Sequence, residues 1–157
     1  MSAEDRIEEL GIELPPPPSP AGLYSPCVET GNLLFVSGQI PSGPDGPLRT
    51  GHCGTDVSVD EASELARVCG INALAAVRAH LGTLDRVARV VRVGGFVASS
   101  PAFVEHPKVV NGASQLMLDV FGEAGRHARA AVGMAALPAG VPVEVEFLFE
   151  ILPAEAE

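Results

Sequence analysis

Tryptophan is absent from this chain of 157 residues, and tyrosine occurs once, at Tyr24. Lysine is just as scarce, with Lys108 alone, and ten basic against twenty acidic residues leave a net charge of −10. A surface of that sign repels phosphate backbones, which disfavours nucleic-acid binding. No apolar run reaches the roughly 18 residues of a membrane span, and the acidic start MSAEDRIEEL is unlike a basic signal peptide. These features favour a soluble cytoplasmic protein with no nucleic-acid or membrane partner.

Cysteines and cofactor motifs are also few. Cys27, Cys53 and Cys69 are an odd number without CxxC spacing, which is typical of reduced intracellular thiols. His52 lies beside Cys53, but adjacent strand residues point to opposite faces, and HxH and HExxH spacings are missing. The chain also lacks Walker A, GxGxxG and GxSxG motifs. We therefore expect no metal, no cofactor and no catalytic cysteine.

Two long helices are predicted. Segment 57–82 carries an apolar stripe at the helical period, and Ser58 followed by Glu61 is a capping-box pattern. A second helix is predicted to begin after His106, with a proline in its first turn, and to run to about Phe121. The long helices thus alternate with strand-like segments along the chain.

The N-terminus carries a shorter helix pattern over residues 6–14, interrupted by Gly11. Residues 15–20 (PPPPSP) form a stiff polyproline strap, which is too close to the N-terminus to separate two domains. We predict a single domain over 1–157, with the helix and strap in 1–20 and the main fold in 21–152.

Strands are predicted over 32–40, 86–99, 128–137 and 141–152, and short strands could form at 48–54 and near Cys27. The strand over 86–99 has Gly94 and Gly95 in its middle. This pair predicts either a bulge or a close backbone approach. The order of elements indicates an α+β fold, a mixed sheet with two helices on one face. The other face then meets water or another subunit.

Arg129 and Glu144 are the charged candidates for a site. Arg129 lies on a predicted strand with few other charges, where it either reaches solvent or binds a carboxylate at two points. Glu144 lies in the alternation VEVEF, where it is either solvated or close enough to a ligand to orient or deprotonate a water. A hairpin about residues 138–140 would bring Arg129 and Glu144 into the same zone.

Three further positions are candidates for ligand contact. Ser37 and Gly38 end the first long strand, and a glycine there lets a ligand or a neighbouring chain approach the backbone closely. Tyr24 lies between the proline strap and this strand. It either packs with its hydroxyl in water or contacts a ligand.

These residues form a pattern that resembles the YjgF/YER057c/UK114 family, also called the Rid family. The resemblance covers about residues 20–151, and its motifs are YSP at 24–26, GNL at 31–33, SGQIP at 37–41, RxxVxxxxLP at 129–138 and VEVE at 143–146. It implies a chorismate mutase-like fold of the bacillus type. It also implies a homotrimer with a barrel-like core and three ligand clefts between subunits.

The resemblance further implies hydrolysis of reactive 2-imino (enamine) acids to 2-oxo acids and ammonia, without metal or cofactor. Carried over by position, Arg129 binds the substrate carboxylate and Glu144 places the attacking water. Tyr24 lines the cleft, and the backbone of Ser37 and Gly38 flanks it. An imine carbon is already electrophilic, so binding it beside an oriented water supplies much of the catalysis.

The chain departs from this family in three places. Ala131 replaces a residue that is often cysteine, and Gly133 also differs. Segment 111–121 is about a turn longer than usual, so either Asn111 or Ser114 takes the place of an asparagine that lines the cleft. These differences indicate a divergent subgroup.

Two other functions remain open. A non-catalytic protein could use the same arginine cleft to bind or sense a small carboxylate metabolite. An endoribonuclease or translation-inhibitor role, a label attached to some relatives, is disfavoured by the net charge of −10, because RNA affinity rests mainly on phosphate neutralisation.

Overall fold

The computed structural model describes residues 1–154, so the end of the predicted domain, 155–157, lies outside the described residues. In chain order the helices and strands are α1 (Ala3–Glu9), β1 (Cys27–Thr30), β2 (Leu33–Gln39), β3 (Ser42–Gly43), β4 (Gly46–Pro47), α2 (Val59–Leu81), β5 (Val87–Ala98), α3 (His106–Phe121), β6 (Ala128–Met134) and β7 (Val143–Ile151). The expected extra strand near Cys27 is β1.

Five of the strands form one mixed sheet in the order β1-β2-β7-β5-β6, in which β5 and β6 run parallel and the other pairs antiparallel. β3 and β4 form a separate small hairpin. α2 packs against β2 and β7, and α3 packs against β5 and β6, so both long helices cover the same face. The predicted α+β class is confirmed.

The ends of the long helices lie where the sequence predicts them. The Ser58 hydroxyl accepts the N–H of Glu61 at 3.1 Å, which caps α2, and Gly82 ends that helix with a left-handed φ of 85°. α3 has Pro107 in its first turn and stops before Gly122. A side-chain cap and a glycine therefore bound α2, whereas a first-turn proline and a glycine bound α3.

The N-terminal segment is bound to the helix layer. Gly11, with φ of 64°, ends α1. The Glu4 carboxylate pairs with the Arg78 guanidinium of α2 and accepts the N–H of Leu84 at 2.8 Å. The strap 15–20 that follows has neither helix nor strand and is mostly exposed.

β7 separates the two faces of the sheet by strict alternation. Its buried side chains, which pack under the helices, are Val143, Val145, Phe147, Phe149 and Ile151, and its half-exposed ones are Glu144, Glu146, Leu148 and Glu150. We call the second side the open face. It is not purely polar, because Val28, Phe35 and Val132 on β1, β2 and β6 remain 54%, 47% and 42% exposed there.

The predicted β6–β7 hairpin is wrong. A turn at 138–140 does connect the two strands, but β5 lies between them in the sheet. α3 crosses the helix-covered face and returns the chain parallel to β5, which leaves β6 at the edge. The apolar inner row of β7 suits a central position, because those side chains are buried under the helices.

Of the two alternatives predicted for Gly94 and Gly95, the structure has the close approach and not the bulge. The register irregularities of β5 lie earlier, between Val87 and Arg92. A Cβ on Gly95 would lie 2.2 Å from Cγ2 of Val110. Because glycine has no Cβ, α3 can pack closely against the sheet at this position.

The short strand expected at 48–54 does not form. Gly51 and Gly54 adopt φ of 130° and 82°, which breaks the extended backbone on both sides of Cys53. Cys53 contributes only isolated bridges. The segment is a loop that carries the chain from the β3–β4 hairpin to α2.

Candidate functional site

A cavity of about 830 Å³ lies on the open face. Its walls come from the end of the strap (18–21), from Tyr24, from the end of β2 (37–39), from Phe96 and from Glu144. We call it the Glu144 cavity. It brings four of the predicted site residues together, namely Tyr24, Ser37, Gly38 and Glu144.

Glu144 is one of two half-buried carboxylates that line this cavity, the other being Glu146. Gly38 lies directly against Glu144, since a Cβ at position 38 would be 3.1 Å from Cδ of Glu144. Burial raises the pKa of the Glu144 carboxyl above its ordinary value, and the negative charge of Glu146 raises it further. A carboxylate with a raised pKa is a stronger proton acceptor, which suits it to deprotonate a water.

Tyr24 and Ser37 use their hydroxyl groups to hold the backbone around the cavity. The Ser37 hydroxyl donates to the carbonyl of Ser25 at 2.6 Å, and the Tyr24 hydroxyl accepts the N–H of Ala21 at 3.2 Å. The tyrosine ring and the backbone at the end of β2 therefore remain to line the cavity.

Arg129 lies in a second cluster, beside α3. Its Nη1 donates to Oδ1 of Asn111 at 2.8 Å and to Oγ of Ser114 at 3.1 Å, and its Nη2 donates to the carbonyl of Pro107 at 3.3 Å. Both candidates for the cleft-lining position, Asn111 and Ser114, thus contact the guanidinium. Within residues 1–154, Nε–H and one Nη2–H have no acceptor, and two donors are the number that a two-point carboxylate contact requires.

Arg129 and Glu144 lie on opposite faces of the sheet in one subunit. Arg129 is paired with Val93, which is buried under the helices, and Glu144 is paired with Phe96, three residues further along β5. The expectation that a hairpin brings them into one zone is therefore wrong. The sequence-predicted site residues form two clusters, with Tyr24, Ser37, Gly38 and Glu144 in one and Arg129, Asn111 and Ser114 in the other.

Sequence reasoning missed His127 and the end of the strap. His127 Nε2 lies 2.9 Å from the Ser114 hydroxyl, although the two residues are 13 positions apart. No spacing motif marks such a contact, because it depends on how α3 packs beside β6. The wall formed by residues 18–21 could have been suspected from the strap's position just before Tyr24.

The three cysteines are free and buried. Burial raises the pKa of the Cys27 and Cys53 thiols to about 11, and that of Cys69 well above its usual range. The thiols are therefore protonated at neutral pH and are weak nucleophiles. Among residues 1–154, no group of three or more His, Cys, Asp or Glu side chains is placed to hold a metal ion.

Comparison with known proteins identifies the family. The family described as “YjgF/chorismate mutase-like, putative endoribonuclease” matches residues 4–151. The chain belongs to this YjgF family. Protein TCP17 of Trypanosoma cruzi, a relative, is 48% identical over 146 residues, which cover 92% of this chain and 91% of that protein.

Solved structures share the fold of this YjgF-family chain. Atu1372 of Agrobacterium tumefaciens, a protein of unknown function, is 49% identical with a TM-score of 0.87, over 95% of this chain and 92% of that chain. A Shewanella oneidensis protein is 33% identical with a TM-score of 0.92, and the match covers 96% of this chain and 100% of that chain. RidA from an Antarctic Psychrobacter is 28% identical with a TM-score of 0.62, and the match covers 87% of this chain and 94% of that chain. The recognition of a YjgF/Rid relative is confirmed.

No helix within residues 1–154 is both long enough and apolar enough to cross a bilayer.

Proposed function

We propose that this protein hydrolyses reactive 2-imino (enamine) acids to 2-oxo acids and ammonia, in clefts between the subunits of a homotrimer. The observation that carries the proposal is the Arg129 guanidinium, bound on one side by α3 and left with two free N–H donors. A planar fork with two donors fits the carboxylate of such a substrate.

The chemistry needs a water and a proton acceptor near the imine carbon. In the proposed site Glu144 takes a proton from the attacking water while a C–O bond forms and the C=N electrons move to nitrogen, and it passes this proton to that nitrogen. The carbinolamine then collapses: its hydroxyl proton moves by way of Glu144 to the amine nitrogen, the C–N bond breaks to release ammonia, and the C=O bond of the 2-oxo acid forms. The raised pKa of Glu144 supports the role of proton acceptor.

The placement of Arg129 and Glu144 supports an intersubunit location. Because the two residues are on opposite faces of one sheet, a ligand between subunits can meet the Arg129 of one copy and the Glu144 of another. The exposed apolar side chains of the open face support its burial by another copy of the chain. We place the activity in the cytoplasm, where the three free cysteines stay reduced.

Two other functions compete with this proposal. A binding protein that senses small carboxylates would use Arg129 without turnover. The family description also names endoribonuclease activity, but a net charge of −10 opposes binding of an RNA backbone.

The test couples an amino-acid oxidase to this protein and follows released imino acid by trapping with semicarbazide. The wild-type protein should speed the loss of trappable imine with several amino acids. Arg129→Ala should lower kcat/KM about a hundredfold or more, because it removes a charge-assisted two-point contact. Glu144→Gln should lower kcat by about 10²-fold or more.

Arg126→Ala is the matched control. It removes the same charge from an exposed arginine three residues away, which pairs with Glu123. That variant should keep its activity. Absence of any acceleration over spontaneous hydrolysis, across the amino acids tested, would refute the deaminase. Binding of pyruvate by the same inactive protein, lost in Arg129→Ala, would then identify the sensing function.

A further inference from the structure

His127 lies immediately before β6, and both nitrogens of its ring have fixed partners. Nδ1 is 2.6 Å from the carbonyl oxygen of Gly125, and Nε2 is 2.9 Å from Oγ of Ser114. A carbonyl oxygen can only accept, so the proton of the neutral ring resides on Nδ1. Nε2 is then an acceptor, and the Ser114 hydroxyl donates to it.

The direction of this bond determines what Ser114 offers to Arg129. A hydroxyl has one proton and two lone pairs. Because its proton is directed at His127, its lone pairs face Nη1 of Arg129, which donates to Oγ at 3.1 Å. The hydrogen bonds thus run in one direction, from Arg129 to Ser114, from Ser114 to His127 and from His127 to the Gly125 carbonyl.

We propose that Ser114 and His127 are positioning residues that hold the Arg129 guanidinium with its two free donors directed at the ligand. Neither is proposed to touch the ligand. We call the chain of hydrogen bonds from Arg129 through Ser114 and His127 to the Gly125 carbonyl the relay. It rests on the proposed function only in taking the ligand to be a carboxylate. The relay orients the guanidinium whether or not a ligand is bound.

The relay adds a partly buried restraint on rotation of the guanidinium to two contacts that are exposed. Asn111 holds Nη1 from an exposed position, and the Pro107 carbonyl holds Nη2 at the longer distance of 3.3 Å. Ser114 and His127 are partly buried and are tied to the backbone through Gly125. A long side chain fixed before binding loses less conformational entropy when the ligand arrives, which strengthens binding.

The chain offers matched variants for each member of the relay. Ser114→Ala removes the hydroxyl, and Ser114→Thr retains it at the same partly exposed helix position. His127→Ala removes the acceptor, and His127→Gln places an amide oxygen near the position of Nε2. If the relay is correct, the two conservative variants rescue what the two alanine variants lose.

Functional readouts are KM and kcat with an imine generated by the oxidase, and the Kd for pyruvate as a carboxylate probe. Ser114→Ala and His127→Ala should raise KM and Kd by about tenfold or more, as expected for loss of a hydrogen bond to a charged group, with a smaller change in kcat. Ser114→Thr and His127→Gln should stay within about threefold of the wild type. The double alanine variant should be no worse than either single variant, because both act through Arg129.

A readout without ligand separates the relay from the proposed function. ¹⁵N NMR should show hindered rotation of the Arg129 guanidinium in the wild type and in Ser114→Thr, and freer rotation in Ser114→Ala. It should also report the Nδ1–H tautomer of His127. Equal rotation in the wild type and Ser114→Ala would overturn the relay even if the enzyme is active. Hindered rotation in a protein that neither binds pyruvate nor turns over imines would support the relay and refute the proposed function.

A purely structural role gives a different result. In that case the alanine variants lower Tm while KM, Kd and guanidinium rotation stay at their wild-type values, and the proposal is wrong.

Discussion

Glu144 shows how a single side chain takes its chemistry from its surroundings. On a bare strand it would be an ordinary solvated carboxylate, but here it is half-buried against Gly38, with Glu146 two residues along the same face. Both burial and the second charge disfavour ionisation. The protein therefore maintains a carboxylate that is energetically unfavourable at neutral pH, which is common where a group is used as a base.

Replacing this carboxylate should change stability in a pH-dependent manner. The folded-state pKa of Glu144 lies above its unfolded value, so its favourable contribution to folding is complete below the unfolded pKa, about 4.3, and is lost as pH rises through the folded pKa. Glu144→Gln should therefore be more stable than the wild type at pH 7, and this gain should disappear below about pH 4. Urea unfolding at a fixed protein concentration measures the free energy of unfolding of the variant and the wild type at each pH. The same gain at both pH values would contradict this account.

The crossing of α2 and α3 depends on a glycine that helix patterns do not explain. Gly112 lies in the middle of α3, where alanine is intrinsically favoured by about 1 kcal/mol. A Cβ there would lie 1.9 Å from the backbone oxygen of Ser63 in α2. The two helices approach so closely that only hydrogen fits between them.

Gly112→Ala should therefore destabilise the fold, despite the gain in helix propensity. The backbone oxygen of Ser63 cannot move aside as the end of a flexible side chain can. We therefore expect a net loss of about 1–3 kcal/mol in the free energy of unfolding. Gly70→Ala in α2 is the matched control at the same interface. Its added Cβ meets the movable Cδ2 of Leu116 at 2.7 Å, and it should change stability by less than about 1 kcal/mol. Similar losses in both variants would show that the backbone contact is not decisive.

In the proposed trimer the open face is the surface through which copies of the chain associate. It combines exposed apolar groups on three strands with the glutamates of β7. Burying such a face against another copy removes apolar area from water, and it places the Glu144 cavity at the edge of an interface. In the proposed assembly this brings a carboxylate of one subunit and the Arg129 guanidinium of another to the same ligand.

Light scattering should accordingly give a mass about three times the 16.2 kDa of the chain. Phe35→Glu places a charge in the middle of the open face and should shift the protein towards monomer, with loss of deaminase activity. Leu10→Glu is the control, because Leu10 at the end of α1 is about as exposed, 44% against 47%, and lies on the helix side. A wild-type monomer, or a Phe35→Glu trimer, would exclude the open face as the interface.

Much of the fold could be predicted from the sequence, because its signals are local. Ser58, Gly82 and Pro107 define helix ends through hydrogen bonds and backbone angles within a few residues. The alternation of apolar residues and glutamates in β7, interrupted at Leu148, likewise reports its two environments. For the site, the residue types and motifs indicated Arg129 and Glu144 without saying how they are arranged.

The sequence by itself therefore determined the helices, most of the strands, the α+β class and the candidate side chains. Only the tertiary structure decided that β5 separates β6 from β7, that Arg129 and Glu144 lie on opposite faces, and that His127 reaches Arg129 through Ser114. Strand order depends on which partners bury the most apolar surface across the whole sheet. That is a sum over distant residues, and no short stretch of sequence encodes it.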